Sequence, residues 1–358
     1  MLIIFRNNKK WDGKGYDAKN NVIYEIKNGN GYIKEYNDNN KLKYEGGYLN
    51  GEKSGKGKEY SYNGKLEFEG EFLKGFKWIG KIYKYFYNYN LKFECEYLNG
   101  QRNGKGKEYY INGQLKFEGE YSSDVKWNGK GYDLKGNIIY QLINGKGKVK
   151  EYDENGNLEY EGEYINGERN GKGKEYYRHG DLKFEGEYLN GKKNVKGKEY
   201  YTFCKLRFKG EYLNDKKWNG EIYGINGDIF VLKDGNGKVK EYDENGNLEF
   251  EGEYINGERN GKGKEFNFDG KLIFEGEYLN GEKNGKGKEY DDETGILIFE
   301  GEYLADEKNG KGKEYDINGN LIFEGEYLDD QKNGKGKEYD KNGNLIFEGN
   351  YLDGSRII

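Results

Sequence analysis

Proline is absent from this chain of 358 residues, and the side chains that usually perform chemistry are scarce. There is one histidine, His179, and the two cysteines, Cys95 and Cys204, lie far apart without a Cys-x-x-Cys spacing. A serine-type triad has almost no nucleophile or base to be built from. Zinc sites of ordinary ligand spacing and a disulfide framework are equally unsupported. We therefore expect no enzymatic activity, no metal site and no cofactor.

Long apolar runs and an excess of basic charge are also missing. The segment 1–5 is followed by charged residues and is far too short for a signal-peptide core or a membrane span. The net charge is −5, whereas a nucleic-acid binder is expected to carry a basic excess. We expect an intracellular, cytoplasmic protein without a signal peptide or transmembrane segment, and no nucleic-acid partner.

Glycine and aromatic residues are what the chain has in abundance. There are 59 glycines, with 37 tyrosines, 18 phenylalanines and 4 tryptophans, while apolar residues as a whole reach only 33%. Disordered chains of similarly low hydrophobicity lack aromatic residues and are rich in proline and serine. The composition therefore indicates β-sheet and tight turns.

An internal repeat of 24 or 25 residues runs along the chain. Its regular aromatic markers are Tyr44, Phe68, Phe93, Phe117, Tyr160, Phe184, Phe208, Phe250, Phe274, Phe299, Phe323 and Phe347. Three shorter, eroded units carry the markers Tyr24, Tyr140 and Phe230, each 20 residues before the next one. A repeat of this length predicts a solenoid of about 14 or 15 similar units.

Each unit reads as a β-hairpin. In residues 321–328 the side chains alternate, so that the aromatic residues and the glycine share one face and the glutamates share the other. Residues 333–339 form a second short strand, and Asn342-Gly343 is expected to supply the pair of positive φ angles of a tight turn. Gly325 leaves a gap in the row of side chains, across which we expect an aromatic ring from a neighbouring strand to lie.

Charge alternates between the two strands of a unit, with Glu-Gly-Glu on the first and Lys-Gly-Lys on the second. These side chains can face each other across the ladder. The register of the second strand stays open, because it would leave Glu338 on the aromatic side unless a bulge intervenes.

These residues resemble the MORN repeat, a glycine-aromatic unit of about 23 residues. The matching positions are Phe274, Gly276, Tyr278, Gly285 and Gly287, followed by Phe299, Gly301, Tyr303, Phe323, Gly325 and Tyr327. The resemblance implies an all-β, elongated, single-layer solenoid of antiparallel hairpins. We expect an N-terminal cap and short unit over 1–43, the repeat array over 44–349 with irregular units near 127–159 and 218–249, and a C-terminal edge over 350–358.

Four Lys-Trp-x-Gly phrases contain all of the tryptophans, Trp11, Trp78, Trp127 and Trp218. One interpretation is structural: the rings fill the kink where a short unit interrupts the array. The other is that they are partner-binding anchors, because tryptophan is enriched among binding hot spots.

The predicted function is a non-enzymatic scaffold that binds protein partners through an extended aromatic-rich β surface, with self-association through the open C-terminal edge. The resemblance also implies two alternatives. One is peripheral binding to acidic phospholipids, for which the candidate lysines are Lys192, Lys193, Lys196 and Lys198. The other is an immunity or antitoxin role.

Overall fold

The computed structural model describes residues 2–6, 9–16 and 22–357, and the side chains of residues 2–4 are outside that description. Thirty-two strands and no helix occur in these ranges. Met1 of the expected N-terminal capping strand and Ile358 of the C-terminal edge lie outside the described residues. The structure confirms the predicted all-β class built of successive antiparallel hairpins.

Three sheets contain these strands, and within each sheet every strand pairs with the next one in the sequence. The first sheet has β1 Leu2–Arg6, β2 Lys9–Tyr16, β3 Val22–Lys27, β4 Asn30–Tyr36, β5 Leu42–Leu49, β6 Glu52–Tyr60, β7 Leu66–Leu73, β8 Phe76–Tyr85, β9 Leu91–Leu98, β10 Gln101–Tyr109, β11 Leu115–Ser122, β12 Val125–Tyr132 and β13 Ile138–Leu142. The second has β14 Gly147–Tyr152, β15 Leu158–Ile165, β16 Glu168–Tyr176, β17 Leu182–Leu189, β18 Lys192–Tyr200, β19 Leu206–Leu213, β20 Lys216–Tyr223 and β21 Ile229–Leu232. The third has β22 Gly237–Tyr242, β23 Leu248–Ile255, β24 Glu258–Phe266, β25 Leu272–Leu279, β26 Glu282–Tyr290, β27 Leu297–Leu304, β28 Glu307–Tyr315, β29 Leu321–Leu328, β30 Gln331–Tyr339, β31 Leu345–Leu352 and β32 Ser355–Ile357.

The chain divides into two compact units, residues 1–171 and 172–358. The fifteen aromatic markers predicted from the sequence all lie on odd-numbered strands, from Tyr24 on β3 to Phe347 on β31. The predicted boundaries at 43/44 and 349/350 stay predictions.

Each regular hairpin has an aromatic face and a charged face. On β29, Phe323 and Tyr327 are buried, while Glu324 and Glu326 point to the other side of the sheet, where Glu324 is partly exposed and Glu326 is exposed. This alternation follows directly from the period of two in a β-strand. We call the two sides the aromatic face and the charged face.

Glycine makes room for an aromatic ring, but the ring at Gly325 is Phe323 of the same strand, so the prediction of a ring from a neighbouring strand is wrong here. A Cβ atom added to Gly325 would lie 2.6 Å from the Phe323 ring and 2.7 Å from the Cα atom of Gly336 on the next strand. No side chain fits between two backbones that approach this closely. The ring of Phe323 also packs edge-on against Tyr327 at 5.5 Å and Tyr351 at 5.3 Å, which links neighbouring hairpins.

Bulges settle the register that the sequence leaves open. Glu338 lies opposite Phe323 and Phe347, so it is on the aromatic face. The pairing shifts between Gly325 and Tyr327 on one side of β30, and between Glu338 and Tyr339 on the other. These shifts turn Tyr339 to the charged face, where its hydroxyl donates to Glu324.

The turn prediction at Asn342-Gly343 is wrong in its geometry. Only Gly343 has a positive φ, 83°, and its N–H donates to the Asp340 carbonyl at 2.9 Å. The Asp340 side chain accepts from the N–H groups of Asn342 and Asn344, which favours a four-residue turn over a two-residue one. The expected positive pair occurs at the opposite end of the hairpins, as at Asp329 and Asp330.

The short units are wedges between regular hairpins. In the turn after β10, the Ile111 N–H donates to the carbonyl of Glu154, which lies in the turn after β14. These two turns therefore meet, although the short β12–β13 hairpin lies between their strands in the sequence. At the other end, Gly145 N–H donates to the Trp127 carbonyl and the ladder of turns continues without a gap. Thr202 and Glu244 repeat the first contact around the short β20–β21 hairpin, which carries Phe230. The hydrogen bonds between turns therefore bypass the short hairpin at one end of the strands and include it at the other end.

Candidate interaction surfaces

The charged face of residues 230–350 forms a groove of about 1690 Å³. Its floor is made of glycine backbone, and two rows of charged side chains run along it. The first row consists of Lys240, Glu251, Lys264, Glu275, Lys288, Glu300, Lys313, Glu324, Lys337 and Glu348. The second row consists of Lys238, Glu253, Lys262, Glu277, Lys286, Glu302, Lys311, Glu326 and Lys335, and ends at Asn350.

The first row neutralises much of its own charge. Lys264 lies 3.8 Å from Glu275, and equivalent pairs join Lys240 to Glu251 and Lys337 to Glu348. Tyrosine hydroxyls at its margin add hydrogen bonds, such as that from Tyr290 to Glu275 at 2.9 Å. Burial, and then the hydrogen bond to this carboxylate, raise the pKa of Tyr290 to about 12.

The second row uses its carboxylates differently. The Oε2 atom of Glu277 accepts a hydrogen bond from the backbone N–H of Lys286 at 3.0 Å, and Glu302 and Glu326 do the same for Lys311 and Lys335. The glutamate thereby satisfies the backbone at the bulge next to Gly285, whose φ is 95°. Its carboxylate is committed to the backbone, not to a lysine side chain.

The lysine ammonium groups of the second row are left without such partners. Lys262, Lys286, Lys311 and Lys335 are exposed. Within the described part of the chain they form no ion pair, in contrast to Lys240, Lys264 and Lys337 of the first row. The groove therefore presents a line of free positive charges, one for each hairpin.

An apolar ridge borders this line. Leu279 lies two residues beyond Glu277 on the same face and is 48% exposed. Ile255, Leu304 and Leu328 are the equivalent residues of neighbouring hairpins and are also exposed. Repeated exposed aliphatic side chains beside a groove are typical of interaction surfaces.

The aromatic face is closed, in contrast to the expectation of an exposed aromatic surface. Phe274, Phe299 and Phe323 are 0–1% exposed, because neighbouring rings and basic side chains cover them. The Lys283 ammonium lies 4.2 Å from the centre of the Phe274 ring and 3.2 Å from a Glu265 carboxylate oxygen. The regular rings thus serve as core and are not available to a partner.

Ion pairs on the aromatic face control the ionisation of its glutamates. Burial opposes the charge on Glu199, but the nearby ammonium groups of Lys217 and Lys193 outweigh it and lower the pKa of Glu199 to about 2. The Lys217 ammonium lies 2.8 Å from the carboxylate. Glu199 is therefore held in its charged form.

The four tryptophans do not share one environment. The carbonyls of all four accept an N–H from a turn. After Trp11, Trp127 and Trp218 the next residue adds a side-chain cap, as from Asn128 to the N–H of Asn144 at 2.7 Å. Trp78 is followed by Ile79, which cannot accept such a bond, and its ring is 40% exposed. Three of the four phrases therefore have a side-chain cap on the turn, while the anchor role of the tryptophans stays a prediction.

The four candidate lipid-contact lysines do not form one cluster. Lys193 lies over the Phe184 ring on the aromatic face and pairs with Glu175 and Glu199. Lys198 pairs with Glu185, whereas Lys192 and Lys196 are exposed. Their lipid contact stays a prediction.

A small cavity of about 200 Å³ lies beside the short β12–β13 hairpin and is lined in part by the side chain of Lys116. Lys116 donates to the Tyr152 carbonyl, and burial lowers the pKa of this lysine. At the second wedge Arg207 donates to the Tyr242 carbonyl in the same manner. These side chains hold the backbone across the wedge, and we assign them a structural role.

Sequence reasoning did not find the free lysine line or the leucine ridge. The Glu-Gly-Glu and Lys-Gly-Lys motifs are visible in the sequence. Within each motif, however, the first and second charged residues look equivalent there. Only the bulge at Gly285 makes Glu277 bind a backbone N–H and separates the two rows. The repeated leucine after the second aromatic residue was the available signal for the ridge.

Comparisons with known proteins agree with the repeat pattern. The family model described as "MORN repeat" matches residues 44–65, 94–115, 160–181, 184–202, 250–271, 274–293, 299–321 and 323–345. The model described as "MORN repeat variant" matches residues 146–166 and 236–256, each of which follows a short hairpin. No curated protein matches the chain.

Solved structures similar to the chain include a crystal structure of TcdB2-TccC3-Cdc42 and a mutant Tc holotoxin pore of Photorhabdus luminescens. The first is 12% identical with a TM-score of 0.16 and covers 98% of this chain and 24% of that chain. The second is also 12% identical with a TM-score of 0.16, and covers 98% and 23%. The chain spans about a quarter of the length of these structures. Within the described residues, no helix has the length and hydrophobicity needed to cross a bilayer.

Proposed function

Because the chain belongs to the MORN-repeat family, whose repeats are a non-catalytic scaffold module, we propose that it binds a protein partner along the charged face of residues 238–349. The groove is lined by repeated elements, so many weak contacts add along its length. The observation that carries the proposal is the line of free lysines beside exposed leucines. The chain itself performs no reaction in this proposal.

The test compares partner capture by two triple variants. Leu279→Ser, Leu304→Ser and Leu328→Ser remove the ridge. A matched control changes Ile317, Leu345 and Ile346 to serine. These residues are 50–68% exposed, no less than most of the ridge, but lie at the opposite ends of the strands. Proteins retained by wild type and control but lost by the ridge variant support the proposal. Equal retention by all three would contradict it.

One observation favours membrane binding as a second candidate function. Residues 72–93 contain five lysines and no acidic side chain. At the hairpin tip, Phe76 is 78% exposed, and Trp78 and Ile79 are exposed beside it. Aromatic and aliphatic residues with flanking lysines are typical of segments that enter the membrane interface. We propose this hairpin, in place of residues 192–198, as the lipid contact.

Vesicle co-sedimentation tests this second candidate. Phe76→Ser should weaken binding to vesicles that contain acidic lipid. Phe268→Ser is the matched control, because Phe268 is equally exposed at a turn elsewhere. Binding that is unchanged by Phe76→Ser, or absent in the wild type, would remove this candidate.

A further inference from the structure

The spacing of the free lysines determines the spacing of negative charges in a ligand that can pair with all of them. Lys286, Lys311 and Lys335 lie on every second strand of the third sheet. Neighbouring strands are about 4.7–4.9 Å apart, so successive free lysines recur every ~9.6 Å along the groove. A partner that pairs with all of them must present negative charges at the same interval on one side.

Three regular backbone conformations meet this requirement unequally. An extended β-strand returns to the same side every ~6.6 Å, which is out of step with the lysines. An α-helix presents the same side again after seven residues, or ~10.5 Å, so its charges move out of step with the lysines by almost 1 Å at each hairpin. A polyproline II segment has three residues per turn and rises ~3.1 Å per residue, so every third side chain recurs at ~9.3 Å.

Charge selects the chemistry of the occupant. In the first row Lys264 and Lys337 are already paired with glutamates. In the second row the carboxylates of Glu277, Glu302 and Glu326 are occupied by backbone N–H groups. Incoming carboxylates can therefore pair with the second-row lysines without breaking an existing ion pair.

We infer that the groove selects an acidic polypeptide segment in the polyproline II conformation, with an aspartate or glutamate at every third position. This inference rests on the proposed function and specifies its partner. Each acidic side chain pairs with one free lysine, and the apolar side chains between them contact the ridge at Leu279, Leu304 and Leu328. Preformed polyproline II structure lowers the entropy lost on binding.

The experiment uses the full chain and three synthetic peptides of equal charge. The first repeats Glu-Pro-Pro, the second repeats Glu-Pro-Pro-Pro, and the third is a helical peptide with one glutamate in every heptad. Fluorescence anisotropy at several salt concentrations measures their dissociation constants. We expect the period-three peptide to bind at least about fivefold more tightly than the other two. Equal affinities, tighter binding of either other peptide, or no binding of any peptide would overturn the inference.

Two triple variants localise the binding. Lys286→Gln, Lys311→Gln and Lys335→Gln should weaken the period-three peptide at least about tenfold. Lys240→Gln, Lys264→Gln and Lys337→Gln remove the same charge from the first row and should change affinity by less than about threefold. Circular dichroism confirms that both remain folded. Equal losses of affinity in both variants would show that the peptide responds only to the net charge of the groove, and would overturn the inference.

The inference and the proposed function fail in different ways. If a captured protein depends on the leucine ridge but no acidic period-three peptide binds, the scaffold function stands and this partner chemistry is wrong. If neither a captured protein nor a peptide depends on the groove, both are wrong.

Discussion

Lys283 lies over the ring of Phe274, with its ammonium 4.2 Å from the ring centre, and pairs at the same time with Glu265 of the preceding hairpin. Lys308 and Lys332 repeat this arrangement over Phe299 and Phe323. Arg259 occupies the equivalent position over Phe250 and bonds both Glu241 and Glu265. The aromatic face is therefore sealed by a chain of cations and carboxylates that joins each hairpin to the next.

Replacing Lys283 by glutamine should lower the free energy of unfolding by about 1–2 kcal/mol, because it removes a cation–π contact and a half-buried ion pair. Urea denaturation followed by tyrosine fluorescence measures the change. Lys283→Arg should be nearly neutral, because arginine already serves at residue 259. Lys286→Gln on the exposed charged face is the control and should stay within about 0.5 kcal/mol of wild type. An equal effect of Lys283→Gln and Lys286→Gln would contradict the sealing role.

Gly325→Val should unfold its own hairpin and weaken the adjacent ones. The new Cβ atom would overlap the Phe323 ring and the backbone of Gly336, and displacing a buried ring costs about 3–5 kcal/mol. Stability in repeat arrays is nearly local, so hydrogen exchange should rise in residues 297–352 and change little in residues 237–266. Gly319→Asn, at a turn with φ 81° and no atom near its Cβ position, is the control. Loss of protection along the whole unit would contradict a local array.

Glu199 should make the protein sensitive to acid. Its pKa is about 2 in the folded chain, below the ordinary value of 4.5. The stability that the ionised carboxylate contributes is therefore complete above pH 4.5 and is lost as the pH falls towards 2. A shift of this size corresponds to about 3 kcal/mol. In urea titrations at pH 7 and pH 2.5, Glu199→Gln should lose less stability on acidification than wild type. Identical pH dependence of the two proteins would show that Glu199 does not contribute.

Trp78 should differ from Trp218 in access to solvent. The ring of Trp78 is 40% exposed, whereas Trp218 is partly buried and its ring packs against Gly235. Iodide quenching of single-tryptophan variants, with the other three residues changed to phenylalanine, should be stronger for Trp78. Equal quenching would place both rings in one environment and remove the distinction between the phrases.

Much of the fold could be predicted from the sequence, because the period of the repeat and the alternation within each strand are local signals. The strand at residues 321–328 and the facing of Glu324 and Lys337 are confirmed. An aromatic ring does lie at Gly325, but it is Phe323 of the same strand and not a ring from a neighbouring strand. The turn at Gly343 was mispredicted, since Asp340 caps the backbone there and favours a longer turn.

The interaction surface could be predicted only in part. Sequence reasoning treated the aromatic residues as the contact surface, because it could not show that Lys283 and its equivalents cover them. It also treated the lysines of the two rows alike. Among the described residues Lys262 forms no ion pair, whereas Lys264 pairs with Glu275. The bulge that brings Glu277 of the second row to a backbone N–H depends on pairing between strands, not on the local sequence.

Lysine footprinting of the chain with its captured partner tests the central claim most directly. Acetylation is measured by mass spectrometry for the free chain and for the complex. The account predicts that Lys286, Lys311 and Lys335 become protected in the complex, while Lys283, Lys308 and Lys332 on the aromatic face are unchanged. Protection of the aromatic-face lysines, with the three charged-face lysines still reactive, would contradict it.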